Sequence, residues 1–395
     1  MNRTNISKLL LIMSICVMFF STAFSQVVVV KQAKDRNPTL SFREIIGNKN
    51  LSAAIEADLR NCGWFDVTNQ PGAEYVVSGG AAGSSVQVNV HKSTGTVASS
   101  VNARVESSVR KTAHSVVDSI LKDIFGIKGI CSAKIAFCGE ISKGVKEIFI
   151  SDYDGQDLVQ VTRVNSLCVE PEWLPNGSGI VFTQYSKMFT DVVEYNMLSR
   201  RSRRLAQFPG LNSGAAVSPN GQVMALILSK DRQVELYIKS FAGREFRRLT
   251  NGKSVEASPC WSPSGDRICF VSDMGGRPEL YLIGAGGGKT AKLQTLGSEA
   301  VNPAWSADNK IAYSSRTGKN YSIAVYDLNG KEPQKTVTNA AGDWDSPSWA
   351  PDNRHVVCSR NFSGRSELYV VDTWTGKMRP LSKTAINLSM PAFSR

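Results

Sequence analysis

The side chains that most often carry catalysis are few and scattered in this chain. Its 395 residues include three histidines, His91, His114 and His355. His114 falls on a predicted helix and His355 on a predicted strand, and neither has a clustered partner in the sequence. The chain contains no G-x-S-x-G nucleophile elbow, no H-E-x-x-H zinc motif and no phosphate-binding loop. The sequence therefore offers no positive support for an enzyme, and it predicts neither a cofactor nor a metal.

One acidic stretch, DYDGQD at residues 152–157, resembles half of a calcium-binding loop. The remaining ligand positions are missing, and the stretch falls where a later hairpin has an ordinary turn, SFAG at residues 240–243. Aspartate and glycine are residues that tight turns use for their own backbone geometry. A plain turn is therefore the favoured interpretation.

The cysteines do not form a recognisable chemical motif. No C-x-x-C pair occurs, which argues against zinc and redox chemistry. Cys260 and Cys269 flank one turn and are placed to lie opposite each other, but packing as small hydrophobes is favoured over a bridge. Beyond Cys16, an odd number remains, so a monomer keeps at least one free thiol: Cys62, Cys131, Cys138, Cys168, Cys260, Cys269 and Cys358.

The first 25 residues have the pattern of a secretory signal peptide. Arg3 and Lys8 precede an apolar run at residues 9–20, and the sequence STAFSQ follows that run. We predict cleavage after Ser25. The alternative, an uncleaved anchor, is disfavoured because a membrane-spanning helix needs about 20 apolar residues. The mature chain is therefore predicted to be secreted and to have no transmembrane segment.

The chain is basic, with a formal net charge of +12. The densest run is RRSRR at residues 200–204, which a nucleic-acid-binding protein could use. A secreted chain rarely meets nucleic acid, and no aromatic residues interrupt this run. A solvated turn is the favoured interpretation, and no nucleic-acid partner is predicted.

Most of the chain is built from a sequence repeat. One apolar position, usually Trp in the phrase P-x-W-S-P, recurs in steps of 44 residues: Trp173, Val217, Trp261, Trp305, Trp349 and Phe393. Each unit has the pattern of four short strands joined by turns that contain Asn-Gly or Ser-Gly. Such a unit is typical of a β-propeller blade, with the proline at the start of the strand and the Trp ring pressed against the neighbouring blade. We therefore predict a mainly β protein with a six-bladed propeller.

The two ends of the repeat predict how the ring closes. Phe393 begins a unit that has only two more residues, whereas residues 134–162 supply three strands without a Trp strand before them. We expect the strand at residues 390–394 to pair with the blade that begins at Lys134, which removes two open sheet edges. The propeller is predicted to span residues 132–395.

The region before the ring does not follow the 44-residue step. Residues 26–30 (QVVVV) and two segments within residues 73–92 have the pattern of strands. Leu51, Ile55 and Leu59 share one face of a helix, and a longer amphipathic helix ends at Gly126. We predict a small α/β domain over residues 26–131, with a flexible N-terminal segment at residues 26–36.

Three phrases outside the blades carry a family resemblance. LRNCGWF in the first helix, FGIKGICSAKIAF at the junction and SDYDG in the first complete hairpin are similar to the TolB family, the propeller component of the Tol–Pal envelope system. The resemblance extends over essentially the whole mature chain. It implies a non-catalytic periplasmic adaptor that binds the lipoprotein Pal at the propeller mouth and TolA through the mature N-terminus. Such an adaptor supports outer-membrane integrity, cell division and protein import, with other outer-membrane proteins and lipoproteins as further partners.

The resemblance also implies which residues bind the partners. The Pal surface would lie on the loops that enter the Trp strands, at Leu211, Asn212, Ser213, Gly214, Glu256 and Ala257, and by repeat analogy at Glu170, Ala300 and Asp345. TolA would bind within residues 26–36, at Gln26, Val27, Val28, Val29, Val30 and Lys31. The chain departs from the family pattern in two places. Leu211 stands where His is common, and the mature N-terminus lacks the usual glycines.

Two alternatives remain open from the residues. A secreted propeller that binds a small ligand or a glycan would have a polar, ligand-sized central channel. A propeller peptidase or a lactonase-like enzyme would need a nucleophile or metal cluster, which the sequence does not contain.

Overall fold

Six four-stranded antiparallel sheets follow one another along most of the chain, which confirms the predicted six-bladed propeller. The computed structural model describes residues 36–381 and 384–395. The predicted signal peptide, the strand at residues 26–30 and the predicted TolA-binding residues Gln26 to Lys31 lie outside the described residues.

A five-stranded sheet and two helices precede the ring. The sheet has the order β2-β1-β3-β4-β5, and β1 runs parallel to both β2 and β3. Both predicted helices and the two predicted strands within residues 73–92 are present, whereas β1, β2 and β5 were not predicted. The elements are β1 (Thr39–Ile46), α1 (Lys49–Asn61), β2 (Asp66–Val67), β3 (Tyr75–Ala82), β4 (Ser85–Lys92), β5 (Val97–Arg104) and α2 (Val109–Phe125).

Capping residues set the ends of both helices. The Asn48 side chain accepts a hydrogen bond from the Leu51 amide at the start of α1, and Ser108 does the same for the Lys111 amide of α2. Helix α2 ends at Gly126, whose φ of 68° is left-handed, as the sequence predicted. The apolar faces of both helices pack into one hydrophobic core, to which the small sheet and the ring also contribute side chains.

Each complete blade places its Trp-phrase strand at one edge and its last strand at the other. The last strand has two or three residues in every blade except the first complete one. The strands are β6 (Lys134–Ser142), β7 (Val145–Asp152), β8 (Val159–Gln160), β9 (Cys168–Trp173), β10 (Gly179–Tyr185), β11 (Thr190–Asn196), β12 (Arg201–Ala206), β13 (Asn212–Val217), β14 (Val223–Leu228), β15 (Glu235–Ser240), β16 (Arg247–Arg248), β17 (Glu256–Trp261), β18 (Arg267–Ser272), β19 (Glu279–Gly284), β20 (Ala291–Lys292), β21 (Ala300–Trp305), β22 (Lys310–Thr317), β23 (Asn320–Asp327), β24 (Lys335–Thr336), β25 (Asp343–Trp349), β26 (His355–Phe362), β27 (Arg365–Asp372), β28 (Met378–Pro380) and β29 (Asn387–Phe393). We call β9, β13, β17, β21, β25 and β29 the inner strands.

The sixth blade is assembled from both ends of the repeat region. Strand β29 pairs antiparallel with β6, and Phe393 lies opposite Ile135. The Ser394 amide donates to the Lys134 carbonyl at 2.8 Å, which continues the pairing beyond the strand. The strand begins at Asn387, three residues before the predicted start, and ends at Phe393.

The Trp rings connect neighbouring blades with hydrogen bonds as well as apolar contact. The Trp173 indole N–H donates to the Ala392 carbonyl at 3.0 Å, and the Trp261 indole N–H donates to the Ala216 carbonyl at 3.0 Å. Trp349 makes the same bond to the Ala304 carbonyl of the preceding blade. Trp305 differs, because its N–H faces Asn309 of its own turn at 3.3 Å. The recurring Trp therefore fixes the distance between adjacent inner strands.

The position of the proline in the Trp phrase differs from the expectation. Pro171 lies inside β9 rather than at its start, and the pairing of β9 with β10 shifts register at this point. The same shift occurs in the other five inner strands. Proline is tolerated there because a β-bulge already leaves one residue outside the hydrogen-bond ladder.

Candidate functional site at the channel mouth

Six equivalent residues with left-handed backbone surround one end of the central channel. They lie in steps of 44 residues, one on each inner strand, and their φ angles are between 47° and 58°: Glu170, Gly214, Ser258, Asn302, Ser346 and Met390. Five of the six are not glycine, although this conformation costs a residue with a side chain on the order of 1 kcal/mol. We call these six residues the bulge ring.

Hydrogen bonds join the bulge ring across blade boundaries. The Glu170 carboxylate accepts from the Gly214 amide of the next blade at 3.0 Å and from the Thr183 hydroxyl at 2.8 Å. The Ser258 hydroxyl donates to the Asn302 side-chain oxygen at 2.9 Å. The Asn302 side-chain amide in turn donates to the Asp345 carboxylate at 2.7 Å. These contacts hold the backbone in its strained conformation.

The Asp345 carboxylate is the most heavily used acceptor of this network. Besides Asn302, it accepts from the Ser314 hydroxyl at 2.7 Å and from the Ser346 amide at 2.8 Å. All three bonds go to one oxygen, and the residue is half-buried. A carboxylate held in this way presents a fixed negative charge beside the channel.

The channel behind the bulge ring is a narrow cavity of about 190 Å³. The bulge-ring residues and the prolines that follow them line it, together with Trp261, Trp305 and Trp349. Farther along, Glu172 faces Arg395 at 3.7 Å, and burial raises the pKa of the Glu172 carboxyl despite this cation. The channel is therefore polar at the mouth and partly aromatic within.

The structure brings five of the predicted Pal-binding residues to this mouth. Glu170 and Gly214 belong to the bulge ring and line the channel. Ser213, Ala257 and Asp345 each occupy the position just before it and are half-buried. All five lie within the inner strands, not in the loops that precede them as expected.

Three further predicted Pal-binding residues stand two positions before a bulge-ring residue, and they are buried, not exposed. Asn212 and Ala300 have no accessible surface and Glu256 has 1%. The Asn212 side-chain amide donates to the Thr190 and Phe208 carbonyls at 2.7 Å, so its hydrogen-bonding groups are occupied. Burial raises the pKa of the Glu256 carboxyl, which accepts from the Ser254 hydroxyl at 2.7 Å. These residues support the mouth from beneath.

Among the predicted Pal-binding residues, Leu211 alone lies in a connecting loop. It precedes β13, its amide donates to the Ser229 hydroxyl at 2.8 Å, and its side chain packs partly into the core between the second and third blades.

Four of the six bulge-ring residues were not predicted from the sequence: Ser258, Asn302, Ser346 and Met390. The signal was present, because adding the 44-residue step to Glu170 and Gly214 leads to each of them. A second signal is the proline that follows the bulge residue in five of the six blades. Side-chain identity varies around the ring, so only the backbone position is regular.

The acidic turn that resembled half of a calcium loop contacts the small domain. The Arg110 guanidinium of α2 donates to both oxygens of the Asp154 carboxylate at 2.9 Å. Asp152 lies against the Lys134 ammonium and 3.4 Å from the His114 ring. Cationic side chains of the chain itself therefore occupy these carboxylates, in agreement with a structural turn.

His114 bridges the small domain and the ring. Its Nδ1 lies 2.7 Å from the Asp58 carboxylate of α1, which also accepts from the Tyr153 hydroxyl at 2.8 Å. Burial lowers the pKa of His114, but hydrogen bonds to Asp152 and Asp58 outweigh it and raise the pKa to about 9. His114 is therefore a cation between two carboxylates at neutral pH.

A second buried cluster joins the same two parts. The Arg354 guanidinium makes two bonds to the Asp372 carboxylate and donates to the Asn37 side-chain oxygen at 2.7 Å. The Trp64 indole N–H donates to the Asp352 carboxylate at 2.9 Å, and Asp352 also pairs with His355. The clusters around His114 and Arg354 together form what we call the junction.

The cysteines of the described residues are all free thiols, including Cys260 and Cys269, which lie directly opposite each other between β17 and β18. Burial raises the pKa of the Cys269 thiol well above its usual range. Among the described residues, no helix is long and apolar enough to cross a membrane.

The comparisons with known proteins agree with this architecture. The family model described as "TolB beta propeller domain" matches residues 121–395. The Tol-Pal system protein TolB of Actinobacillus succinogenes is 28% identical over 195 residues, which cover 41% of this chain and 45% of that protein. The TolB of Vesicomyosocius okutanii is 27% identical over 136 residues, which cover 33% of this chain and 32% of that one. The matched region thus spans 32% to 45% of the length of these two curated relatives.

The same fold is present in a solved structure of the family. The crystal structure of TolB from Acinetobacter baumannii superposes with a TM-score of 0.82 at 24% sequence identity, covering 92% of this chain and 98% of that one. At this identity the likeness establishes the fold alone. Since the family model extends over most of the chain, including all six blades, the chain belongs to the TolB family of propeller proteins.

Proposed function

We propose that this protein is a non-catalytic periplasmic adaptor of a Tol–Pal system that binds Pal at the bulge ring. The observation that carries the proposal is the bulge ring itself, whose backbone is strained and held by hydrogen bonds between blades. Strain of this kind persists where it is part of a functional surface. A rigid surface also loses little conformational entropy on binding, which favours recognition of another protein.

The chemistry of the mouth favours a partner that donates hydrogen bonds. Glu170 and Asp345 offer fixed carboxylates, and Asn302 and Ser258 add amide and hydroxyl groups between them. Acidic acceptors arranged around a rim select partners by charge and register. A basic or amide-rich loop of Pal would fit this arrangement.

The size of the channel favours the adaptor over the alternative of a small-ligand receptor. The cavity measures about 190 Å³, whereas pockets for drug-sized ligands usually measure about 300–1,000 Å³. A sugar ring or the tip of one side chain would fill the space. The channel is therefore better suited to receive part of a docked loop than to enclose a glycan.

We further propose that residues 26–36 bind TolA. Arg36 is the first described residue, and its ion pair with Glu74 is exposed on both sides. Such a pair contributes only about 0–1 kcal/mol, so it holds the Arg36 side chain only weakly to Glu74. We also propose that Pal binding shifts this segment between a docked and a free state.

A titration of the soluble domain of Pal against residues 26–395 tests the Pal site. The informative variant is Glu170→Gly, because the equivalent residue of the next blade is already glycine and tolerates the same φ. We expect the affinity to fall at least tenfold. Asp157→Gly is the matched control, since Asp157 also has a positive φ of 51° but lies in a turn away from the mouth. Equal affinity of both variants, or no binding of Pal, contradicts the proposal.

Deletion of residues 26–36 tests the TolA site and its coupling to Pal. TolA binding should disappear and the Pal affinity should change, both measured by calorimetry against the undeleted mature chain. Unchanged binding of both partners would rule out the coupling.

A further inference from the structure

The last strand of the first complete blade is unusually long. Strand β12 has six residues, whereas the last strands of the other blades, β8, β16, β20, β24 and β28, have two or three. It lies at the edge of its sheet, and among the described residues it pairs with β11 alone. One side of its backbone is therefore available to another strand.

This edge strand is rich in arginine. Arg201, Arg203 and Arg204 are exposed, with Arg200 directly before them. The Arg203 guanidinium pairs with Glu194, and Arg204 pairs with Asp191 at 2.8 Å, while Arg201 takes part in no ion pair among the described residues. Like charges on an edge repel a second copy of the same strand. The same charges attract an acidic strand.

A groove of about 460 Å³ adjoins β12 and extends to the second blade. It contains Arg203, Arg204, Lys239 and Arg244 but no carboxylate among its lining residues. Three phenylalanines also line it, and the Phe208 and Phe246 rings meet edge to face at 5.0 Å. We call this surface, with β12 as its rim, the basic groove. It shares no lining residue with the channel.

Lys239 provides an independent indication of an anionic ligand. Its side chain lies in the groove wall and the residue is 7% exposed. Its ammonium contacts the Leu205 carbonyl at 3.4 Å and lies 5.0 Å from the centre of the Phe246 ring. No carboxylate among the described residues pairs with it. A buried cation without a counter-ion is costly, and a bound carboxylate would remove that cost.

We propose that the basic groove binds an acidic, extended peptide segment of a partner protein, which adds as a fifth strand beside β12. Main-chain hydrogen bonds to the free edge would supply register, and alternate side chains would point into the groove. Acidic side chains would meet Arg201, Lys239 and Arg244, while an apolar side chain would pack on the phenylalanines. This surface is independent of the Pal site, so either can fail without the other.

Fluorescence anisotropy tests the basic groove with a defined probe. The probe is a short fluorescein-labelled peptide in which Glu alternates with Val around one central Phe, titrated into residues 26–395. We expect saturable binding that weakens as salt is added, because exposed charge pairs are screened. A peptide with Lys in place of Glu should not bind. The acidic peptide carrying N-methyl groups on alternate residues should also lose binding, because it cannot complete a strand ladder.

Two variants locate the site. The double variant Arg201→Ala/Arg244→Ala removes exposed cations and should weaken binding about fivefold or more. Lys239→Met keeps the length of the buried chain and should weaken it about tenfold, with thermal unfolding measured alongside to show that the blade is intact. The matched control is Arg104→Ala/Arg163→Ala, which removes two exposed arginines elsewhere and should change affinity less than twofold, as expected of remote surface charges.

Three outcomes would overturn the proposal. One is equal binding of the acidic and basic peptides. Another is equal loss in the groove and control double variants, which would indicate net charge alone. The third is binding to phosphatidylglycerol vesicles or to inorganic phosphate with no binding of the peptide, which would assign the groove to a phosphate-bearing ligand.

Discussion

The junction and the bulge ring lie at opposite ends of the inner strands and differ in how they treat polar groups. At the junction, which is at the Trp end, charged side chains are buried and paired. At the bulge ring, polar side chains face the channel. Arg354 is 1% exposed and its guanidinium lies between the Trp64 and Trp374 rings, at 4.8 and 4.5 Å from their centres. Asn302 is half-buried and connects Ser258 to Asp345 beside open space. The same scaffold thus carries a closed surface and an open one.

On the proposed function, this difference assigns stability to the junction and binding to the mouth. The paired charges and aromatic rings of the junction become exposed to solvent only if the small domain separates from the ring. Substitutions there should therefore lower the free energy of unfolding. Side chains at the mouth make hydrogen bonds that contribute about 0.5–1.5 kcal/mol each, so substitutions there should act mainly on affinity. The predictions that follow test this division from the largest expected effect to the smallest.

Trp64→Ala should have the largest effect on stability. The ring is 3% exposed and packs against Phe125 and Trp374, with centres 4.9 and 5.3 Å away. Removal of a buried Trp costs about 3–5 kcal/mol, and here it also leaves Asp352 without one donor. Urea unfolding measures the change, and Pal affinity should stay within about twofold, since a remote core substitution leaves the mouth contacts in place. A large loss of affinity with normal stability would break the division.

Gly63→Ala should destabilise the junction by about 1–3 kcal/mol. Gly63 has a φ of 76°, and a Cβ there would lie 2.3 Å from the His355 ring nitrogen. The left-handed backbone and the close contact with His355 each disfavour alanine. Gly72→Ala is the matched control, because its φ of 83° is similar but nothing lies within 4 Å of the added methyl group. Equal melting temperatures of the two variants would show that contact with His355 is unimportant.

The His114 cluster should make stability fall at alkaline pH. Because its pKa is about 9 in the folded protein and 6.5 for an unperturbed histidine side chain, the folded state binds the proton more tightly. The contribution, about 3 kcal/mol at most, is complete below about pH 6.5 and disappears as the pH rises through about 9. Burial raises the pKa of Asp58, which acts in the same direction at lower pH. The lowered pKa of Asp152 acts oppositely, only as the pH falls below the usual carboxyl range.

His114→Gln separates this effect from general alkaline unfolding. The variant should be less stable than the parent chain near pH 6.5, and the difference should close by about pH 9.5 in urea titrations. A constant difference across that interval would mean that His114 does not gain a proton on folding.

Asn302→Gly should have the smallest effect on stability and a clear effect on binding. Glycine accepts the φ of 50°, so the variant loses only the bonds to Ser258 and Asp345, at about 1 kcal/mol in total. Pal affinity should fall about tenfold. The control Asn353→Gly has a similar φ of 56° and loses a bond to the Ala307 amide at the opposite end of the blades. Equal Pal affinity of the two variants would remove the bulge ring from the binding surface.

The repeat made most of the propeller predictable. A unit with Trp and turn residues at fixed positions cannot bury its apolar faces alone, so six units imply a ring of blades. Leu51, Ile55 and Leu59 are buried on one face of α1 as their spacing indicated. Strands β1 and β5 were missed because their sequences, TLSFREII and VASSVNAR, show little alternation of apolar and polar residues.

The candidate site was only partly predictable. Glu170, Gly214 and Asp345 were placed at the mouth by resemblance and repeat analogy, but the burial of Asn212 and Glu256 was not visible in their polar side chains. A polar residue can be buried wherever the fold supplies partners, and those partners come from other strands. The bulge itself was interpreted as a strand start, because a proline in sequence does not reveal which ladder bond it replaces.

The amino-acid sequence by itself determined the number of blades, the two helices and the way the ends of the ring meet, because these follow from local periodicity and from a repeat that needs neighbours. Only the tertiary structure decided the junction and the mouth. Arg354 meets Asn37 across 317 positions, and Trp64 meets Asp352 across 288. The left-handed bulges persist because side chains of neighbouring blades hold them. Contacts of this kind depend on how distant segments are oriented, which local composition does not encode.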